Sequence, residues 1–230
     1  MTMKELLEEV RETFRETWDV RNGRKVPEPD ELKLTNDAVR IEATVLYADM
    51  ADSTGLVKRF KAPFAAEVYK AYLRGVSRII QKNGGEITAF DGDRAMAVFA
   101  GDAKNTSAAK TALNINAFVN ELNSEIRASY SNTTFVLAQT VGIDTGVLFV
   151  ARTGIRNNND LVWVGPAANN AAKLCGVGGA VGPSRITEGV FSMLSEEAKF
   201  GGNPKKNMWE KTMWGEMGLV IYGSSWRWPF

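Results

Sequence analysis

The chain has 230 residues, 44% of them apolar, with 28 basic and 27 acidic side chains and a formal net charge of +1 at pH 7. This length and apolar content suit one domain of catalytic size, and the balanced charge gives no electrostatic case for nucleic-acid binding. The sequence has no histidine and one cysteine, Cys175, which excludes serine–histidine and cysteine–histidine catalysis, an internal disulfide and a cysteine-ligated zinc site. A metal ion would need oxygen ligands, which favours Mg²⁺ or Mn²⁺.

The sequence contains neither a membrane-spanning pattern nor a secretion signal. No run of about 18 apolar residues occurs, and the acidic N-terminus lacks the apolar core of a signal peptide. We therefore expect no membrane span and a cytoplasmic location.

The N-terminal segment, residues 3–18, is amphipathic. Glutamates and arginines separate apolar side chains that recur at helical spacing, namely Met3, Leu6, Leu7, Val10, Phe14 and Trp18. This period predicts a helix with one apolar face, which either packs on its own domain or serves as a dimerisation or partner helix. Residues 21–38 are polar and contain two prolines, so they are predicted to form a linker.

The first strand is predicted over residues 41–49 and ends on a carboxylate, Asp49. The turn that follows carries three side chains that can cap a helix N-terminus, those of Asp52, Ser53 and Thr54. The free N–H groups at such a helix start also bind phosphate well. Helical spacing of apolar residues predicts a long helix over 64–82, ended by two glycines.

A hairpin is predicted over residues 86–99. Alternating apolar residues flank Asp91-Gly92, a pair typical of the type I′ turn, which needs positive φ at both central positions. The tip carries the carboxylates of Asp91 and Asp93. Because Asp49 also ends a strand, we expect a site for a hard cation where these carboxylates meet.

The rest of the chain continues the alternation of helices and strands. The predicted elements are a helix over 104–128, a β-rich stretch over 134–151 with a tight turn at 144–146, a strand over 161–164, a helix over 166–175, a short helix over 188–198 and two strands within 207–230. This order predicts an α/β domain with a mixed sheet that carries helices on at least one face.

The two aspartates, Asp49 and Asp93, can hold two cations side by side. Two metals roughly 4 Å apart clamp the attacking and leaving oxygens of a phosphoryl displacement. The residues thus favour metal-dependent phosphoryl or nucleotidyl transfer. The alternative is that the aspartates are structural caps or surface charges.

Three stretches resemble motifs of the class III nucleotide cyclases, the adenylate/guanylate cyclase catalytic domain. Residues 44–54 (TVLYADMADST) resemble the first metal motif, and residues 92–99 (GDRAMAVF) resemble the second. Residues 165–174 (GPAANNAAKL) resemble the helix that carries the transition-state Asn and Arg. The motifs occur in the family's order, and the resemblance covers most of the chain after residue 38.

The resemblance implies an α/β (α+β) fold with a mixed, mostly antiparallel sheet and flanking helices. It implies metal binding by Asp49, Asp93 and the carbonyl of Met50, with two Mg²⁺ or Mn²⁺ ions per site. Asn169 aligns with the residue that orients the ribose, and Lys173 stands where the family has an arginine for the α-phosphate. Lysine keeps the positive charge but loses the bidentate fork.

In this family the metal aspartates and the Asn/Arg pair come from opposite chains of a head-to-tail dimer. The resemblance therefore implies a homodimer with two composite sites, with residues 1–38 as a helix and linker and residues 39–230 as the catalytic domain. The ribose 3′ oxygen attacks the α-phosphorus in line and pyrophosphate leaves, without a protein nucleophile. The family's triphosphate-binding lysine near the C-terminus has three candidates, Lys205, Lys206 and Lys211.

The base-reading positions depart from those of purine cyclases. Adenylate cyclases have a lysine three residues before the glycine of the second motif, where this chain has Ala89. They have Asp or Thr three residues before the glycine of the third motif, where this chain has Val162, followed by Trp163. The guanine pair of Glu and Cys is also missing. The chain is therefore either a catalytically retired, nucleotide-sensing domain or specific for another base.

The stretch from Phe90 to Phe99 also resembles the hairpin of the bacterial pyrimidine cyclases of the Pycsar anti-phage systems. In that group, the cyclic nucleotide is a second messenger that activates a separate effector. Ala89 is expected across from Arg94 on one hairpin face, so that Arg94 fills the space of the missing lysine. The alternative for Arg94 is a salt bridge to Asp91 or Asp93.

Arginine is a donor-only group, so it suits the carbonyl edge of uracil better than the amino group of cytosine. We therefore expect cyclisation of UTP to 3′,5′-cyclic UMP, with CTP, or ATP or GTP, as the alternative substrate. We expect the bulky side chains of Tyr47, Phe90 and Trp163 to make the base pocket smaller than a purine pocket. The substrate-binding residues expected from these arguments are Ser53, Thr54, Ala89, Phe90, Arg94, Val162 and Trp163.

Overall fold

The computed structural model describes residues 1–178 and 182–229, and the elements below lie within these ranges. The helices are α1 (Met3–Arg15), α2 (Ser53–Arg59), α3 (Ala62–Lys82), α4 (Lys104–Ser129), α5 (Pro166–Leu174), α6 (Glu188–Ser192) and α7 (Glu196–Lys199), with a 3₁₀ turn at Pro29–Glu31. The strands are β1 (Asp19–Gly23), β2 (Asp37–Ala51), β3 (Glu86–Asp91), β4 (Arg94–Phe99), β5 (Ala138–Ile155), β6 (Asn158–Val164), β7 (Ser184–Thr187), β8 (Phe200–Gly201), β9 (Lys206–Asn207), β10 (Glu210–Trp214) and β11 (Leu219–Ser224).

The main sheet has the strand order β10-β11-β7-β5-β2-β4-β3, with β1 beside β2 and β6 beside β5. Strand β2 is central: it pairs with β5 from Ala38–Ala151 to Ala51–Ala138, and its second half pairs with β4 on the other side. Both pairings are antiparallel, whereas β1 with β2 and β5 with β7 are parallel. The predicted mixed, mostly antiparallel sheet is therefore confirmed.

Helices cover the two faces of the sheet unequally. Alternate residues of β2, such as Leu46 and Ala48, join a large core with α3 and α4. The intervening residues, such as Val45, join a second core with α5. This period of two is the pattern of a strand with both faces buried. None of the helices in the described ranges has the length and apolar character needed to cross a bilayer.

A close approach between α5 and β5 depends on Gly142. A Cβ at this position would lie 2.1 Å from the carbonyl oxygen of Ala171 and 2.7 Å from the Cβ of Leu174. Any larger residue would push α5 away from the sheet, because neither a backbone carbonyl nor a packed Cβ can move aside cheaply. Gly142 therefore sets the height of α5 above β5.

The segment predicted as a linker, 21–38, is structured instead. Part of it forms β1, which pairs with the start of β2, and Val26 and Leu32 are buried in the second core. The prediction of a linker was wrong because an unpaired edge of β2 accepts this polar stretch as a strand. Helix α1 is confirmed as a helix, but it has no buried residue.

Two further predictions were wrong in detail. The predicted tight turn at 144–146 is absent, because β5 runs straight through it and Thr145 pairs with Thr44 of β2. The predicted helix over 188–198 is divided into the short helices α6 and α7. Long-range strand pairing overrides the local turn preference of the Asp144-Thr145-Gly146 sequence.

Substitution of Leu32 tests whether the former linker is part of the fold. Leu32 is 1% exposed and Leu34 is 41% exposed. We expect Leu32→Ala to lower the free energy of unfolding by about 2–5 kcal/mol, because it leaves a cavity in the second core. The matched change Leu34→Ala should cost less than about 1 kcal/mol. Denaturant unfolding of both variants measures this, and equal effects would contradict the assignment.

Candidate active site

The carboxylates of Asp49 and Asp93 lie at one end of the sheet. Asp49 is directly opposite Arg94 in the β2–β4 pairing, and Asp93 is the residue before Arg94. Paired residues of antiparallel strands have Cα atoms about 4.5–5.5 Å apart. Met50 follows Asp49 on β2. The strand register therefore brings together the three residues predicted to bind metal.

The hairpin tip differs by one residue from the prediction. Asp91 pairs with Arg94, so Gly92 and Asp93 are the central residues of the turn. Gly92 has φ of +60°, and Asp93 is outside the left-handed region, which is the pattern of a type II′ turn. The predicted type I′ turn at Asp91-Gly92 was therefore wrong.

The shifted turn also changes the neighbours of Ala89. Ala89 pairs with Met96, not with Arg94 as predicted. Because side chains alternate along each strand, Ala89 and Arg94 still share a face, as diagonal neighbours.

Arg94 is held by Asp49. Its guanidinium donates to Asp49 Oδ2 at 2.9 Å and lies 5.8 Å from the centre of the Tyr47 ring. The hydrogen bond to Asp49 raises the pKa of Arg94 above its usual value, with burial opposing the rise. The predicted alternative, a salt bridge to Asp91 or Asp93, was wrong about the partner, because the β2–β4 register places Asp49 opposite Arg94.

The carboxylate of Asp93 fits a bound cation. Its Oδ2 is buried and has no hydrogen-bond partner among the described residues, which is costly for an oxygen that carries negative charge. The described residues contain no group of three or more His, Cys, Asp or Glu side chains that could hold a metal ion. A hard cation here would therefore take two carboxylates and a backbone carbonyl, with other oxygen ligands from substrate or water.

A cleft of about 610 Å³ opens beside these carboxylates. It is lined by Asp49 and Arg94 on one side, by Lys173 near the end of α5, and by the loop between β10 and β11. The structure thus brings the predicted Lys173 to the same cleft as Asp49 within one chain. Asn169 does not line this cleft.

Helix α5 presents Asn169 and Lys173 on one exposed face, since they are four residues apart. The neighbouring Asn170 points to the protein and donates to Asp144 Oδ2 at 2.9 Å. Asp144 also accepts a 2.5 Å hydrogen bond from the Thr187 hydroxyl. Asp144 therefore links α5 to β7 and helps to fix the exposed face of α5.

The predicted base-reading residues lie on both faces of the sheet, because Phe90 follows Ala89 and Val162 precedes Trp163, and side chains alternate along a strand. Ala89 and Trp163 are partly buried against the second core, whereas Phe90 is 57% and Val162 is 38% exposed. Tyr47 lies in the same region, and its hydroxyl contacts Met96 Sδ at 3.1 Å.

Of these residues, Ala89 and Tyr47 lie near Arg94 on the face of the second core. Val162 and Trp163 instead pair with Ala151 and Val150, which lie opposite Ala38 and Val39 at the start of β2, so one chain does not bring them to Arg94.

Ser53 and Thr54 begin α2, as predicted. The cap is Asp52, with φ of +57°, and its side chain accepts from the N–H of Gly55. Asp52 is also paired with Arg59 at 2.7 Å. Ser53 is half-buried and Thr54 is exposed.

The three C-terminal lysines lie outside the cleft. Lys211 is 3.6 Å from Glu188, and Lys205 and Lys206 lie near β8 and β9. The geometry therefore does not single out one of them for the triphosphate.

Sequence reasoning gave Cys175 no place in the site. In the structure the buried thiol of Cys175 lies 3.5 Å from the carbonyl oxygen of Tyr47. Burial, and to a smaller extent the charge of Asp49, raises the pKa of this thiol to about 11. The buried Arg185 donates to the carbonyl oxygens of Leu174 and Cys175 at 2.7 and 3.0 Å and so caps the C-terminus of α5. A lone cysteine and an arginine in a short strand carry no sequence signal for these roles.

The thiol of Cys175 should make stability depend on pH. The unfolded chain loses this proton near pH 9, but the folded chain holds it to about pH 11. Between these values the folded state binds more protons, so the free energy of unfolding should fall by up to about 1.4 kcal/mol per pH unit. Denaturant unfolding at pH 8–11 should show a steeper fall for the wild type than for Cys175→Ala, and parallel curves would contradict this.

Comparisons with known proteins find relatives along nearly the whole chain. The chain is 47% identical over 221 residues to a uridylate cyclase of Burkholderia cepacia, with 95% of each chain covered. It is 47% identical over 220 residues to a uridylate cyclase of Xanthomonas perforans, with 94% of each covered. No family model matches the chain.

The fold is similar to solved cyclases. The adenylyl cyclase CyaB from P. aeruginosa superposes with a TM-score of 0.69 at 22% identity, covering 80% of this chain and 94% of that chain. Identity at this level supports the fold alone, whereas the bacterial relatives above align along nearly the whole length. The chain therefore belongs to the uridylate cyclase family, on the fold of the class III nucleotide cyclases.

Proposed function

We propose that the protein is a uridylate cyclase that converts UTP to 3′,5′-cyclic UMP and pyrophosphate. The observation that carries this proposal is the alignment of the whole chain with relatives named uridylate cyclase at 47% identity. The strand register that brings Asp49 and Asp93 together, and the cleft that Asp49 lines, support it. The reaction is a phosphoryl transfer in which positioning and charge stabilisation supply the catalysis.

Asp49, Asp93 and the carbonyl of Met50 would hold two Mg²⁺ or Mn²⁺ ions. When bound, these cations neutralise the triphosphate and lower the pKa of the ribose 3′-hydroxyl. Asp93 supplies a buried, unpaired oxygen for this purpose. Asp49 already accepts a hydrogen bond from Arg94, which limits the directions its carboxylate can face.

Asn169 orients the ribose, and the Lys173 ammonium stabilises charge on the α-phosphate. Both side chains are exposed on α5, as groups that act on a substrate must be. Ser53 and Thr54 lie at the start of α2 and bind the triphosphate through side chains and free N–H groups. One of Lys205, Lys206 and Lys211 adds a positive charge there.

Arg94 selects the base by donating to a uracil carbonyl. Ala89 leaves space on the same sheet face, and the Tyr47 ring, with its centre 5.8 Å from the Arg94 guanidinium, supplies an apolar boundary. CTP is the second candidate substrate, because its O2 carbonyl also accepts from Arg94.

The active unit is a head-to-tail homodimer with composite sites, and the catalytic domain includes β1 and the segment that leads to β2, since both are part of the main sheet and second core. The exposure of Asn169 on α5, outside the cleft of its own chain, supports a role toward the partner's site. The product is a second messenger for a separate effector in anti-phage defence.

Product analysis with each nucleotide tests the activity. Incubation with UTP, CTP, ATP or GTP and Mn²⁺ should give cyclic UMP as the main product, identified by mass spectrometry. Asp93→Asn should lower this rate at least about 100-fold, because it removes a charged metal ligand.

The neighbouring Asp91→Asn serves as the matched control. Asp91 is exposed on the same turn and should keep its rate within about threefold. A purine product without a pyrimidine product would reject the proposal, and full activity of Asp93→Asn would reject the assignment of the site.

Mixing two inactive variants tests the composite sites. Asp49→Ala and Asn169→Ala remove groups that would come from opposite chains, so a heterodimer would contain one intact site. After equal mixing and exchange, roughly a quarter of wild-type activity should return if chains pair at random. Each variant mixed with itself is the control. If activity does not return although heterodimers form, both groups act within one chain.

A further inference from the structure

One buried hydrogen-bond donor and one buried acceptor have no hydrogen-bond partner among the described residues. Tyr72 on α3 is 0% exposed, and its hydroxyl, a donor, has no hydrogen bond to a described residue. Asp93 Oδ2, an acceptor, is also buried without one. Buried polar groups without partners are rare in folded proteins, and each one needs an explanation.

The packing of α3 places Tyr72 beneath the hairpin tip. A Cβ on Gly85 would lie 2.5 Å from the Phe99 ring and 2.8 Å from Ile80, so the end of α3 lies beside the end of β4. Along β4, the five residues from Phe99 back to Arg94 span about 16 Å. The eight residues from Ile80 to Tyr72 span about 12 Å of helix. Tyr72 and the hairpin tip are thus at similar heights.

The residues around Tyr72 agree with this position. Tyr72 belongs to the large core together with Ala48 and Ala95. Ala48 precedes Asp49 on β2, and Ala95 follows Arg94 on β4. Both alanines face the core on the side that α3 covers, so the strand ends that carry the carboxylates present small side chains toward this helical layer.

The charges at this end of the sheet keep the Tyr72 hydroxyl protonated. Burial raises its pKa well above the ordinary value, and Cys175, Asp49 and Asp93 raise it further. A phenol hydroxyl is an uncharged hydrogen-bond donor at neutral pH. A neutral donor next to carboxylates is suited to orient them without neutralising their charge.

We propose that Tyr72 is a positioning residue for the cation site. Its hydroxyl donates to one bridging water that in turn donates to the Asp93 carboxylate, and so fixes the direction in which that carboxylate faces a bound divalent cation. This inference rests on the proposed function, because it requires that the carboxylates bind a cation. It adds a residue from the helical layer to a site otherwise built from strand ends.

Mn²⁺ titration tests this inference without relying on turnover. Tyr72→Phe removes only the hydroxyl, and Tyr69→Phe makes the same change one turn earlier on α3, where the ring is half-buried. Loss of a group that orients a metal ligand typically weakens metal binding about 10–100-fold. In the full-length protein, the Mn²⁺ dissociation constant, followed by the electron paramagnetic resonance signal of free Mn²⁺, should rise at least about tenfold for Tyr72→Phe and stay unchanged for Tyr69→Phe.

Thermal unfolding without metal separates positioning from a structural role. Because the Tyr72 hydroxyl is hydrogen-bonded to no protein group among the described residues, its removal should leave Tm unchanged or slightly higher. Wild-type Mn²⁺ affinity in Tyr72→Phe would overturn the inference, as would a lowered Tm without a change in affinity, or a wild type that binds no Mn²⁺. A wild type that binds Mn²⁺ but forms no cyclic UMP would instead count against the proposed function.

Discussion

The antiparallel pairing of β2 with β5 is the constraint on which the rest of the structure depends. It runs over fourteen residue pairs and leaves the other edge of β2 to β1 and β4, and β4 begins at the hairpin tip. Side chains alternate between the two faces of the sheet. A shift of one residue would therefore turn Asp49 toward the face that α3 and α4 cover. The register of the central strands therefore determines whether the two aspartates meet at all.

The two aspartates are chemically different although the sequence presents them as a pair. Asp49 is tied to Arg94 by the strand register, while Asp93 keeps one buried oxygen without a partner. Proximity of the pair could be predicted from the motifs, because the sequence predicts Asp49 at the end of a strand and Asp93 at the tip of a hairpin. The partner of Arg94 could not, since it depends on how β2 aligns with a strand 45 residues away.

Local patterns predicted most helices and strands, and they failed where distant contacts decide. Hairpin turns need a residue with positive φ, which glycine adopts readily. Gly92 can supply it in the predicted type I′ turn or in the observed type II′ turn, so the position of the turn could shift by one residue. Asp144-Thr145-Gly146 has the composition of a turn, yet β2 draws it into a strand. The polar stretch after α1 becomes β1 because an edge of β2 is open. The positions of the base-reading side chains depend on all of these strand alignments, so the sequence alone could not place them.

The long pairing of β2 with β5 has a consequence for folding during synthesis on the ribosome. Residue 51 completes β2, but its partner strand begins at residue 138, which at about 5–20 residues per second is synthesised roughly 4–17 s later. During that interval an apolar strand has exposed edges, which favours aggregation on the ribosome. Such high contact order also slows folding, so expression yield should depend on chaperone supply more than native stability would indicate.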